Sequence, residues 1–277
     1  MTERAYKVCK AIYKLFLPII HNWVHNRGLT CLKIGDITKD KTILRNELLD
    51  EEYGRALSRL KAERSRYKIT QGEMSKTLKM TQSHYNKAES GKKRFGYYEV
   101  QGMCSSDVDI YHIFTGRCSR RKDYFGAQFF ESDFECMVIC LKTINMVAGV
   151  KKRSGPDSAE WERIYQDTQY IEYAEYSTAE VKNIFKATRT YIGKTQIDMA
   201  FDIGVDVKKL RALECDETLP DSELIYRMYK LYRISPSIFL RDKKCLGNEI
   251  CYLVDSADGD VRRKLIFYIN LILENLQ

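Results

Sequence analysis

The sequence predicts an all-α fold, and three observations carry that expectation. Pro is scarce, at 4 in 277 residues, and Gly modest at 15, while Lys, Glu, Leu, Ile, Tyr and Ala fill long stretches, a balance that favours helices over strands and turns. Apolar residues recur at three- and four-residue spacings, the signature of one buried helical face. Finally, a shift of 125 residues lays Ala56–Glu89 over Val181–Glu214 without a gap, so one helical unit is expected twice. A chain of this length has room for roughly two such domains, each with its own core.

Under that shift seven positions are identical: Lys61/Lys186, Ala62/Ala187, Arg64/Arg189, Thr70/Thr195, Gln71/Gln196, Met74/Met199 and Glu89/Glu214. Met74 with Leu78 and Met199 with Ile203 are four apart, and Tyr85 with Ala88 repeats the spacing of Leu210 with Leu213, so each set is predicted to form a core face. Lys79-Met80-Thr81 and Gly204-Val205-Asp206 read as tight turns that end one short helix and supply Thr81 or Asp206 as the N-cap of the next.

Elsewhere, helices are expected over Asp133–Val150 and Ser158–Tyr176, separated by a loop from Lys151 to Asp157. Ser177 and Glu180 form a capping-box pattern that opens the second unit. Asp258–Leu276 carries Val261, Leu265, Ile269, Ile272 and Leu276 on one face and further apolar residues around it, and must be buried in its own chain or in a partner. Ala5–Trp23 also reads as helical, with a break at Pro18, and is aligned loosely with Asp133–Val150.

The segment Thr70-Gln71-Gly72-Glu73-Met74-Ser75-Lys76-Thr77-Leu78-Lys79-Met80-Thr81-Gln82-Ser83-His84-Tyr85-Asn86-Lys87-Ala88-Glu89-Ser90-Gly91-Lys92 resembles the Cro and lambda-repressor-like helix-turn-helix family, also called the xenobiotic-response-element family. It departs from that family's pattern at Lys79, where the turn carries Gly, and at the small Ala88. A left-handed residue is less comfortable as Lys than as Gly by about 1 kcal/mol. The implied architecture is two tandem five-helix domains with additional N-terminal, connecting and C-terminal helices: 1–50 an N-terminal helical segment, 51–117 the first domain, 118–180 a connector, 181–244 the diverged second copy, and 245–277 a helix for packing or dimerisation.

By that resemblance the helix after Thr81 enters a major groove. Gln82, Ser83, Asn86 and Lys87 then face base edges, Gln and Asn being suited to adenine and Lys to guanine. Gln71, His84, Lys92, Lys93 and Arg94 are implied phosphate contacts, with Gln71 also steadying Gln82. Arg64 with Glu89, and Arg189 with Glu214, are implied ion pairs tying the first helix to the end of the reading helix. The second copy offers Gln196, Val207, Lys208, Lys209 and Arg211.

Charge sharpens the contrast between the copies. Arg55–Glu99 holds twelve basic and four acidic residues, whereas residues 189–244 hold eleven and nine. Counterion release rewards Lys and Arg at phosphates, so the first copy is expected to bind duplex DNA more tightly; the second either touches a groove or has become a packing module.

Nine cysteines are spread through a long chain whose formal net charge is +8, which fits free thiols in a cytoplasmic protein better than a disulfide framework. Lys14 interrupts the apolar start, so no signal peptide is expected, and no apolar run has the length of a membrane span. His21 and His25 lie one turn apart, but Asn22 stands where a zinc-protease helix carries its Glu, and Cys136 with Cys140 reads as core. Neither an enzyme nor a metal or cofactor site is expected. The expected function is a sequence-specific transcriptional regulator, a repressor acting as a homodimer on double-stranded DNA; the alternative is an inhibitor, antitoxin or adaptor that turns the same scaffold to a protein partner.

Overall fold

A computed structural model describes residues 39–119, 124–153, 157–174 and 183–276, and every described element is helical, with no strand among them. In chain order the helices are α1 (Lys39–Arg66), α2 (Gln71–Thr77), α3 (Gln82–Glu89), α4 (Tyr97–Cys104), α5 (Ile110–Thr115), α6 (Ala127–Glu131), α7 (Phe134–Lys151), α8 (Ser158–Thr168), α9 (Tyr170–Ala174), α10 (Ile184–Tyr191), α11 (Gln196–Ile203), α12 (Val207–Glu214), α13 (Ser222–Tyr232), α14 (Pro236–Leu240), α15 (Lys243–Asp255) and α16 (Gly259–Leu276).

Local chemistry sets these boundaries. Thr70 caps α2 and closes a capping box with Glu73, and Thr195 does the same for α11 with Asp198, satisfying amides that the first turn leaves without intrahelical partners. Thr81 and Asp206 cap α3 and α12 through the amides of His84 and Lys209, as the turn reading predicted. Lys79 does adopt the left-handed conformation, with φ of 53°, where Gly204 has 69°.

The repeat runs deeper than side-chain identity. Left-handed residues recur at the same interval as Lys68/Gly193, Lys79/Gly204, Gly91/Asp216 and Gly116/Arg241. A positive φ is costly for all but Gly, so four matched pairs mark one backbone path drawn twice. The interval also carries α7 onto α16, each of 18 residues, with Cys140/Leu265, Ile144/Ile269 and Val147/Ile272 buried in both. That match was missed in the sequence because almost no residue is kept along it.

One continuous core runs through both units. Met74, Leu78, Tyr85 and Ala88, and equally Met199, Ile203, Leu210 and Leu213, are buried, as their spacing required. The C-terminal helix buries Val261, Leu265, Ile269 and Ile272 and packs on α7 and α15 of its own chain. Helix α7 ends at Lys151 and α8 begins at Ser158, on either side of the expected loop, and α8 ends at Thr168 with α9 following from Tyr170. The expected boundary at 50/51 does not exist as a break: α1 crosses it as one helix, and Asp50 and Glu52 in its middle pair with Arg227 and Lys230 of α13. The readings on Ala5–Trp23, His21, His25 and the Ser177–Glu180 box fall outside the described residues. No helix among those described is long and apolar enough to cross a membrane.

Candidate nucleic-acid interface

The geometry of the first unit begins with Glu89 at the end of α3. Its carboxylate accepts from Arg64 Nε at 2.8 Å and Nη2 at 3.2 Å, from Gln71 Nε2 at 2.7 Å and from Tyr85 Oη at 3.0 Å. The Arg64 guanidinium also donates to the Ile69 carbonyl at 2.7 Å. Burial pushes the Glu89 carboxyl up, but the hydrogen bonds from Arg64, Gln71 and Tyr85 and the Arg64 charge outweigh it and hold the group below its usual range. The network fastens α1, the start of α2 and the end of α3 to one another.

The second unit reproduces the network. Arg189 donates to Glu214 through Nε at 2.5 Å and Nη2 at 3.1 Å, and Gln196 Nε2 adds 2.7 Å. Leu210 stands where the first unit has Tyr85, so that carboxylate has one donor fewer.

With Tyr85 and Ala88 buried, α3 turns its opposite face outward. Gln82, Ser83, Asn86 and Lys87 are all exposed, and His84 is half-buried. A Cβ at Gly72 would lie 3.6 Å from Gln82 Oε1, an ordinary van der Waals distance, so the Gln82 side-chain amide rests over the start of α2. Gln71 Nε2 donates to Glu89 rather than to Gln82, and the Gln71 side chain is half-buried.

Around this face lie Lys76, Lys79, Lys92 and Lys93, all exposed, and no ion pair engages them or Lys87 among the described residues. Arg94 differs from its expected phosphate role. Its guanidinium pairs with Glu223 of α13, donates to the Gly91 carbonyl at 3.1 Å and sits over the Tyr53 ring at 5.5 Å, so it fastens one unit to the other.

The second unit presents a different surface. Lys208 and Arg211 are exposed, but Arg211 donates to Gln196 Oε1 at 3.1 Å, Lys209 lies 3.6 Å from Asp221, and Val207 and Gln196 are half-buried. On α11, Ile197 is 68% exposed and Phe201 47%, at the positions of Gly72 and Lys76. These two residues were overlooked in the sequence although their four-residue spacing on the polar side of Met199 was visible there.

Other candidate sites fare plainly. No group of three or more His, Cys, Asp or Glu residues among those described is arranged to hold a metal. Cys140 is buried and Cys136 half-buried on α7.

A family model described as a family of unknown function, DUF6076, matches residues 25–107, a span that takes in α1 to α4 and hence the whole candidate surface of the first unit. No curated protein matches the chain, and no solved structure does.

Proposed function

We propose that the chain is a sequence-specific DNA-binding transcriptional regulator, a repressor in class, which reads a major groove with α3. One observation carries the reading: Gln82, Ser83, Asn86 and Lys87 project together from a short helix whose back is clamped by the Glu89 network and whose surroundings are basic. Side chains with paired donors and acceptors discriminate base edges only when their helix is fixed relative to the backbone contacts that set its register. Lys76, Lys79, Lys92 and Lys93, exposed around that face, supply those backbone contacts. The two units are read as lambda-repressor-like domains in tandem, the second diverged.

A second reading applies to the second unit alone and stands as the alternative to DNA contact there. Ile197 and Phe201, exposed side by side, favour contact with another protein there, since isolated exposure is common but a paired apolar step on a short helix is what partners bury. No disulfide joins the seven described cysteines to one another, which suits a reducing compartment such as the cytoplasm.

Selection from a random duplex pool, followed by a salt titration of the winning sequence, tests the proposal. With about four phosphates engaged, the slope of log affinity on log salt is expected near −3 to −4. Recovery of no preferred sequence, together with binding indifferent to salt, would leave the protein-partner reading in its place.

A further inference from the structure

The junction between the two units has the form of a two-fold interface. Helix α4 packs on α14, while α13, which the 125-residue interval equates with α4, packs on α5, the equivalent of α14. The self-equivalent pairs also meet, α5 on α14 and α7 on α16. Reciprocal contacts of this kind, in which each side lends the same patch to the other, define an isologous interface.

Individual residues follow the pattern. Tyr97 Oη donates to the Phe239 carbonyl at 2.9 Å and Gln101 Nε2 to the Leu240 carbonyl at 3.4 Å. The exchanged pair, Ser222 and Phe114, lines one small cavity with Tyr53 and Phe95. Ser222 further donates its amide to the Phe95 carbonyl at 2.9 Å and accepts the Phe95 amide on its hydroxyl at 3.2 Å.

We infer that the chain is a pseudo-dimer within one polypeptide, and that a single molecule spans two successive major grooves of one duplex, with a base-specific half-site under α3 and a weaker, phosphate-held half-site under α12. This rests on the DNA-binding reading above. Elements related by a two-fold axis lie at equal height along it, so the end of the molecule that carries α3 also carries α12. Six residues lead from Glu89 to Phe95 and eight from Glu214 to Ser222; at about 3.6 Å per residue, with about 5 Å more across the Phe95–Ser222 backbone bond, the ends of α3 and α12 are at most about 55 Å apart. Half-sites one turn apart require about 34 to 36 Å. The asymmetry follows from the side chains: α3 offers four exposed polar readers, whereas α12 offers Lys208 and Arg211 beside acidic neighbours. The second chain expected for a homodimer is then unnecessary, because its place is filled by the second unit.

The test uses the full chain and a duplex of about 30 base pairs bearing a sequence selected from a random pool. Light scattering is expected to give one chain of 32.5 kDa per duplex. Hydroxyl-radical footprinting is expected to show two protected patches on one face, separated by about ten base pairs. A Lys208→Ala/Arg211→Ala variant, with its melting temperature checked against the parent, should lose the second patch and about tenfold in affinity while keeping its base preference under the first. Two chains per duplex, or a single patch that the variant leaves unchanged, would overturn the pseudo-dimer and leave DNA binding standing. Failure to select any duplex would instead remove the DNA reading, and the pseudo-dimer's target with it.

Discussion

Replacing Glu89 by Ala removes the acceptor for four hydrogen bonds at once. The side chains of Arg64 and Glu89 are only 10% and 4% exposed, so the Arg64 guanidinium, the Gln71 amide and the Tyr85 hydroxyl lose their partner where water reaches them poorly. Breaking a buried pair by deleting one member costs about 3 to 5 kcal/mol, a large share of a total stability of about 5 to 15 kcal/mol. At about 2 to 4 °C per kcal/mol for a domain of this size, the melting temperature should fall by about 6 to 20 °C, as followed by circular dichroism at 222 nm. The second unit supplies an internal control. Glu214→Ala removes the same Arg and Gln bonds without a Tyr donor, from an Arg that is 17% exposed, and should cost less by about 1 kcal/mol. The Glu89 carboxyl sits below its ordinary range in the folded state. Its contribution is therefore present above the unfolded value and lost as pH falls through the folded one, so parent and variant should converge in acid. A Glu89→Ala protein melting within 2 °C of the parent at neutral pH would refute the clamp (about 1 kcal/mol or less).

Two further outcomes follow from backbone and burial. Lys79→Gly relieves a left-handed Lys and should raise stability by about 0.5 to 1 kcal/mol, while Gly204→Lys should lower it comparably; equal melting temperatures for both variants would speak against the matched turns. Glu249 is buried, accepting from Tyr170 at 2.8 Å, Ser235 at 2.6 Å and Ser237 at 2.7 Å, and burial pushes its carboxyl up. A raised folded value means that stability is fullest below the ordinary carboxylate range and declines as pH climbs through the folded value. Glu249→Gln should flatten that decline in a series of melts across pH, and an unchanged slope would show that Glu249 does not titrate in the fold.

The helical class, the turn at Lys79 and the ion pairs Arg64–Glu89 and Arg189–Glu214 were legible in the sequence because each rests on local chemistry: spacing, caps and a small set of repeated polar residues. The surface of α3 was legible for the same reason, since burying Tyr85 and Ala88 leaves Gln82, Ser83, Asn86 and Lys87 no direction but outward. What escaped depends on contacts far apart in the chain. Arg94 looked like a free cation until Glu223, 129 residues away, was found beside it. The bond from Gln71 Nε2 to Glu89 was likewise not legible, since it joins α2 to the end of α3. The equivalence of α7 and α16 was hidden because their buried faces share few identities and even match Cys140 with Leu265, whereas the continuity of α1 was legible after all, since neither Asp50 nor Glu51 is the Gly or Pro that marks a boundary.

The most direct measurement of the central claim is a base-by-base affinity scan of the selected duplex with Asn86→Ala and Lys92→Ala proteins. If α3 lies in the groove, Asn86→Ala flattens preference at one base pair, by about 1 to 3 kcal/mol, and Lys92→Ala weakens all sequences evenly with a shallower salt slope. Should both substitutions lower affinity uniformly, or neither change it, α3 is not the reader.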